Sequence, residues 1–271
     1  MHAGDYRYSV LGKTGIKVCR MGLSGTYRPG RETVHHAREK GIDLFFCYGF
    51  DTQMIGALRE MLRNERDGIV IVTGAYNLLC GHLNLRRTLE KRLRRLKTDY
   101  IDVFLFLGVT KPSHCPPELI EEMQRFKEEG KARAIGVSCH DRRFVGQLAL
   151  DGAIDVVMMR YNAAHRGAEE EVFPFLEAHN PGLISYTATR WRRLLRRPRG
   201  WPREKPVPSA AQCYRFVLSR PEVNVCLTAP SNIRHLEENL RALDQGPLSP
   251  DEDAFMREFG DAVHSAHGNL R

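Results

Sequence analysis

Three cysteine–histidine pairs are of a type that holds a transition metal: Cys80 with His82, His114 with Cys115, and Cys139 with His140. Thiolate and imidazole suit Zn²⁺, and three or four such groups converging would make a site. None of the pairs has the compact spacing of a zinc motif, and loop cysteines are often incidental, so no metal is expected. A second feature is the run Arg190 to Arg203, reading RWRRLLRRPRGWPR. Arginine suits bidentate recognition of phosphate. With Trp191 and Trp201 interleaved, the run could also hold single-stranded nucleic acid by stacking and charge. A solvated basic loop explains the same residues and is the preferred reading. The net charge of +8 favours anionic partners, nucleic acid or a phosphorylated cofactor among them, without choosing.

The elements that must position these groups alternate along the chain. Leu89 to Gly108 shows the pattern in full. Leu89, Leu93, Leu96 and Tyr100 recur at helical spacing. Ile101 to Leu107 is then apolar on both faces apart from Asp102, as a strand covered on both sides must be. Further strands are expected at Asp43–Cys47, Ile69–Thr73, Ala132–Ser138, Asp155–Met159, Leu183–Tyr186 and Asn224–Thr228, after a first one at Arg20–Ser24. Between them lie helical patterns, including Ala168–His179 and Ile233–Leu243. Tyr6 to Val18 reads as a hairpin around a Gly-Lys-Thr-Gly turn, and Ser249-Pro250 as the cap of an added C-terminal helix, Asp251–Ala266. The expected fold is α/β: a (β/α)8 TIM barrel with an N-terminal β-hairpin and an extra C-terminal helix. No linker-like composition divides residues 1–271, which read as one barrel domain. Function in such a barrel sits in the loops after the C-terminal ends of the strands.

No apolar run is long enough to span a bilayer, and the opening MHAGDYRYSV lacks the apolar segment of a signal peptide. The seven cysteines are odd in number and scattered, so a reducing cytoplasm is the expected home.

Leu93, Leu96, Asp99, Tyr100, Ile101 and Asp102 resemble the Leu-x-x-Leu-x-x-Asp-Tyr-Ile-Asp signature of the aldo-keto reductases. The likeness extends to the opening YRYSVLGKTGIKVCRMGLSGT, to Gly130 through Ser138, to Tyr161-Asn162 and to Ser231 through Leu240. It implies an NADP(H)-dependent oxidoreductase, NAD being possible, that acts on a small carbonyl compound; nucleic acid is then not an expected partner. It also assigns cofactor positions. Gly25 and Thr26 fall where the nicotinamide end passes, and Ser138 where a side chain bonds the carboxamide. Cys139 and Met158 replace the usual Asn and Gln, Tyr186 keeps the stacking aromatic, and Thr187 replaces a Ser near the pyrophosphate. Ser231, His235, Glu238 and Asn239 fall on or near adenosine positions. The basic residue often found beside the 2′-phosphate is Ala229 here, with Arg234 able to substitute.

The family's chemistry uses a Tyr that donates a proton, a Lys paired with an Asp that lowers its pKa, and a His that orients the carbonyl. Here Gly74 stands in the place of the Lys and Leu107 in that of the His. Read without a gap, Phe46 takes the Asp position and Asp51 the Tyr position. With a short deletion, Tyr48-Gly49 matches the family's Tyr-Gly and more residues agree, so Tyr48 is the preferred acid. An unassisted phenol titrates at about 10 and is a poor acid near neutrality. His140, next to Ser138 and Cys139, is the best-placed group to replace a missing one. Two readings follow: an oxidoreductase with a divergent active site, or a catalytically inactive barrel that binds a nucleotide or a partner. Installing Gly74→Lys, Leu107→His and Phe46→Asp together tests between them: gained carbonyl reduction would show an intact cofactor site that lacked only its tetrad.

Overall fold

The computed structural model describes residues 6–76 and 84–267; Cys80 and His82 lie outside them. Strands β1 (Tyr8–Val10) and β2 (Lys17–Cys19) form the antiparallel hairpin, with Tyr8 opposite Cys19. Its turn carries Leu11 and Ile16, which pack with Val18 against the floor of the barrel interior. Gly12 has φ of +50°, and a Cβ there would stand 2.2 Å from the Gly182 nitrogen, so glycine is required.

Eight parallel strands follow: β3 (Met21–Ser24), β4 (Leu44–Phe46), β5 (Val70–Tyr76), β6 (Ile101–Val109), β7 (Ala132–Cys139), β8 (Val156–Arg160), β9 (Gly182–Tyr186) and β10 (Val225–Thr228). Each pairs with the next, and β10 closes on β3, giving the expected closed barrel. The alternation of side chains divides the apolar residues in two. Leu44, Phe46, Val72, Leu105 and Leu107 fill the interior, while Phe45, Ile71, Phe104 and Phe106 face the helices.

Four buried or half-buried acceptors recur at the start of alternate strands. Asp43 accepts from the Cys19 N–H at 2.8 Å, Asp102 from Ile71 at 2.9 Å, Asp155 from Ile135 at 3.0 Å and Asn224 from Leu183 at 2.7 Å. Asp102, Asp155 and Asn224 tie their strands to the backbone of the strand before, and Asp43 ties the start of β4 to the hairpin strand β2. Asp102 is fully buried and also accepts from Arg66 and Arg133, both at 2.9 Å. This accounts for the one carboxylate in an otherwise apolar strand: paired and hydrogen-bonded, its burial is tolerable.

Helices α1 (Arg31–Glu39), α2 (Thr52–Met61), α3 (Leu85–Leu96), α4 (Pro117–Glu128) and α5 (Arg142–Leu150) surround the first half of the barrel. Around the second half lie α6 (Ala168–Glu171), α7 (Phe173–Leu176), α8 (Ala210–Leu218), α9 (Ile233–Gln245) and α10 (Pro250–His267). Side-chain caps from Asp51, Asn84, Asp141, Ser209 and Asn232 start five of them. The added C-terminal helix begins as expected. The Glu252 N–H donates to Ser249 Oγ and the Ser249 N–H to Glu252 Oε2, a reciprocal cap. No helix among the described residues is long and apolar enough to cross a membrane.

Two expectations are corrected. The helix anticipated over Ala168–His179 is two single turns, because Val172 leaves helical geometry (φ −134°) and Pro174 brings no N–H to continue the ladder. The strands also run further than their apolar patterns: β5 continues from Thr73 to Tyr76, and β8 ends on Arg160. Both extensions carry polar groups to the barrel rim.

Candidate active site

A cavity of about 320 Å³ opens at the C-terminal ends of the barrel strands. Its wall is contributed strand by strand: Ser24 and Thr26 from the end of β3, Phe46 and Tyr48 from β4, Tyr76 from β5 and Leu107 from β6. Ser138 and His140 come from β7, Met158 from β8, Tyr186 and Thr187 from β9, and Trp191 from the loop beyond.

Tyr48 is held by hydroxyls and rings. Its Oη lies 3.2 Å from Thr26 Oγ1, which lies 2.8 Å from Ser24 Oγ. Its ring meets Phe46 edge-on at 4.9 Å and stacks on Phe50 at 5.1 Å and Tyr76 at 6.1 Å. Asp51 does not face the cavity. It caps α2, with Oδ1 accepting from the Met54 N–H at 3.1 Å and Oδ2 buried without a hydrogen bond. Of the two residues weighed for the acid, Tyr48 stands at the mouth above Phe46 and Asp51 does not.

Burial dominates the titration of the other groups. It pushes the Tyr76 hydroxyl well above the usual phenol range, with Tyr48 adding to the shift and Arg92 opposing it. Tyr186 is pushed up to about 12 by burial, against the Ser138 hydroxyl and the Arg160 charge. The His140 ring stands edge-on to Tyr186 at 6.4 Å, and burial, then Arg160, lowers its pKa, so the imidazole is neutral at pH 7.

Gly74 and Leu107 meet different fates. Leu107 lines the cavity, where the resemblance sets a histidine. Gly74 lies opposite Leu105 in the β5–β6 pairing, and a Cβ on it would come 2.0 Å from the Leu105 carbonyl oxygen. A lysine cannot stand there without parting two strands. Gly74→Lys is therefore a poor component of a tetrad-restoring test: the fold of β5 uses the missing side chain as space.

The other anticipated positions divide. Thr26, Ser138, Met158, Tyr186 and Thr187 converge on the cavity, and Gly25 opens the turn beside it, its position 3.0 Å from Asp51 Oδ2 as measured from an added Cβ. The Cys139 thiol turns outward instead. It is buried in the layer between strands and helices and donates to the Asp141 carbonyl, and burial pushes it up to about 12. Ser231 and Arg234 line an open groove with Arg31 and Gln53. Ser231 Oγ lies 3.0 Å from His235 Nδ1, Arg234 pairs with Glu238 at 3.9 Å, and Asn239 donates to Thr228 Oγ1 at 2.8 Å. Among the described residues no three of His, Cys, Asp and Glu come together as a metal site. His114 bonds Thr110, and Cys115 is buried.

Arg192, Arg196, Arg197, Arg199 and Arg203 of the arginine loop are exposed, as expected of a solvated run, but the loop is anchored at two points. Arg190 is fully buried and donates to the Val263 carbonyl at 2.9 Å. Trp201 is 8% exposed and meets Phe259 edge-on at 4.9 Å, so the two tryptophans do not form one stacking platform. Only Trp191, 51% exposed, stands at the cavity. Thr187, Arg190, Trp191 and Arg192 all have positive φ, a costly backbone for side chains of this kind and one often kept at working sites.

Sequence reasoning missed Tyr76 and Arg160. Alternation from Val72 through Gly74 would have put Tyr76 on the interior face had the strand been carried past its apolar run. Arg160 stands two residues beyond Met158 on the same face of β8, and the same extension would have found it.

A family model described as "Aldo/keto reductase family" matches residues 31–196. Aldo-keto reductase YhdN of Bacillus subtilis (strain 168) is 30% identical over 207 residues, which cover 66% of this chain and 61% of that relative. Among solved structures, the aldo-keto reductase AKR11C1 from Bacillus halodurans (holo form) has a TM-score of 0.78 at 20% identity, over 93% of this chain and 96% of that one. An aldo/keto reductase from Klebsiella pneumoniae in complex with NADP and acetate has a TM-score of 0.75 at 22% identity, over 94% and 95%. At these identities the likeness to the solved structures is one of fold.

Proposed function

Because the chain belongs to the aldo/keto reductase family, we propose that it is an NADP(H)-dependent oxidoreductase of small carbonyl compounds, with NAD(H) as the other candidate cofactor and an altered set of acid–base groups. In this reading residues 1–271 act as one barrel domain in the cytoplasm. The observation that carries the proposal is the convergence of Tyr48, His140, Ser138 and Tyr186 on one cavity at the functional end of the barrel. These residues fit a nicotinamide: Ser138 offers a hydroxyl for the carboxamide and Tyr186 a ring face for stacking. Ser231 and Arg234, on an open groove, fit the adenosine end, with Arg234 free to turn from Glu238 to a 2′-phosphate.

Ser138 and Tyr186 would hold a nicotinamide, whose chemistry when bound would be to supply the hydride. Tyr48 Oη donates the proton to the carbonyl oxygen and recovers one from solvent through the exposed Thr26 hydroxyl, which the buried Ser24 Oγ holds in place. His140, neutral at pH 7, donates a hydrogen bond that orients the carbonyl without adding a second positive charge beside Arg160. The apolar wall of Phe46, Leu107 and Met158 limits water around the reacting atoms.

A second reading, a catalytically inactive barrel that binds a nucleotide or a partner, is favoured by Gly74 and Leu107, neither of which can move a proton. Trp191 at the cavity makes the first test direct. Titration with NADPH and NADH, followed by tryptophan fluorescence, is expected to show binding, tighter for NADPH. Tyr48→Phe is expected to lower carbonyl reduction by about 100-fold, the low end for a general acid, with NADPH affinity unchanged. Binding without turnover over a panel of aldehydes would move the assignment to the second reading, and no binding of either cofactor would refute the first outright.

A further inference from the structure

We infer that Arg160 is the anchor for a carboxylate on the molecule that this cavity accepts, so that the substrate is an anionic carbonyl compound. The inference deepens the reductase reading and rests on it for the word substrate.

Arg160 is the last residue of β8 and lies opposite Tyr186 of β9. On its other side Ser138 of β7 lies opposite Met158, so His140 and Arg160 come next along the same rim. His140 and Tyr186 both line the cavity, their rings 6.4 Å apart across the end of β8. Arg160 stands on the strand between them.

Its guanidinium is half-buried and has no hydrogen bond or ion pair among the described residues. The charges that act on it are the Tyr186 hydroxyl and the Arg142 guanidinium, and neither is a carboxylate. Arg142 is itself engaged by Glu171. Arg142 is thus supplied with an acceptor, while Arg160, on the strand between the cavity-lining His140 and Tyr186, is left with none. A partly desolvated cation without a counterion is held at a cost that an arriving anion offsets. Arginine's planar fork fits the two oxygens of a carboxylate and is always charged. The adjoining imidazoles do not compete for the anion, since burial and the Arg160 charge keep His140 and His165 neutral at pH 7. A carboxylate on Arg160 would leave the remainder of a small molecule over Tyr186 and His140.

The test is calorimetric titration of benzoate and of benzamide, its neutral counterpart, with and without NADPH. It is run on the unaltered protein, Arg160→Gln and Arg160→Lys. Benzoate is expected to bind about tenfold more tightly than benzamide, and Arg160→Gln to remove that advantage while Arg160→Lys keeps part of it. Affinity for benzamide and for NADPH should stay as it was in both variants. Equal binding of the two probes, or benzoate affinity that survives Arg160→Gln, overturns the inference. So does a loss of NADPH affinity in Arg160→Gln accompanied by competition between benzoate and NADPH, because Arg160 would then serve the cofactor's phosphates. Charge discrimination in a protein that reduces no carbonyl would sink the reductase reading and leave the anion site standing. Carbonyl reduction without discrimination would do the opposite.

Discussion

His165 shows how strongly single residues respond to the cluster at the second half of the mouth. Its pKa is pushed down to about 3, first by burial and then by Arg160, Arg190, His264 and Arg142. The unfolded chain titrates this histidine near 6.5. Between those values the unfolded state binds more protons than the folded one, so stability rises with pH across the window. The contribution of neutral His165 is complete above about pH 6.5 and is lost as the pH falls toward about 3, with His140 shifted in the same direction. Urea titrations from pH 7 to pH 5 should show falling stability, and His165→Gln should make that fall shallower. An unchanged slope in the variant would rule this account out. Residue identities at the mouth were partly legible in the sequence: Leu107 and Tyr48, both singled out there, line the cavity. Arg160 was not, because nothing apolar marks the last turn of a strand at a solvent-facing rim. Cys139 kept its place in the sequence order but faces outward, a choice made by the pleat and invisible to residue type.

At the scale of elements, β5 and β6 are joined through a glycine whose absent side chain is part of the pairing. A methyl group at Gly74 would fall 2.0 Å from the Leu105 carbonyl oxygen, a backbone atom that cannot swing aside. Gly74→Ala is therefore expected to cost about 1–3 kcal/mol in urea unfolding, as overpacking does, and Gly74→Lys more. A Gly74→Ala protein as stable as the parent would refute the strand-separation argument. The sequence supplied the strands through their apolar runs and the helices through their caps and spacing. It could not supply the role of Gly74, which depends on which carbonyl lies across the ladder. Nor did it anticipate the break at Val172, where apolar spacing continues through Pro174 although the backbone does not.

Over the whole molecule, the two ends of the barrel do different work. The hairpin turn seals the floor with Leu11 and Ile16, while every group assigned to chemistry lies at the other end. Leu11→Ala should cost about 2–5 kcal/mol, the usual range for a buried leucine, and shift the thermal unfolding midpoint down with NADPH affinity unaltered. A matching loss of NADPH affinity would contradict this division. The overall architecture was the most legible level of all, since eight repeats of one pattern average out local errors of a residue or two at each strand end. The four side-chain acceptors at Asp43, Asp102, Asp155 and Asn224 add something that those repeats cannot. Alternating apolar residues have a period of two, so a strand displaced by two positions still points its oily face inward. Such a slipped barrel would be nearly degenerate with the native one in hydrophobic burial. The acceptors break that degeneracy, between neighbouring barrel strands at β6, β8 and β10 and against the hairpin at β4, because a displaced acceptor faces no donor.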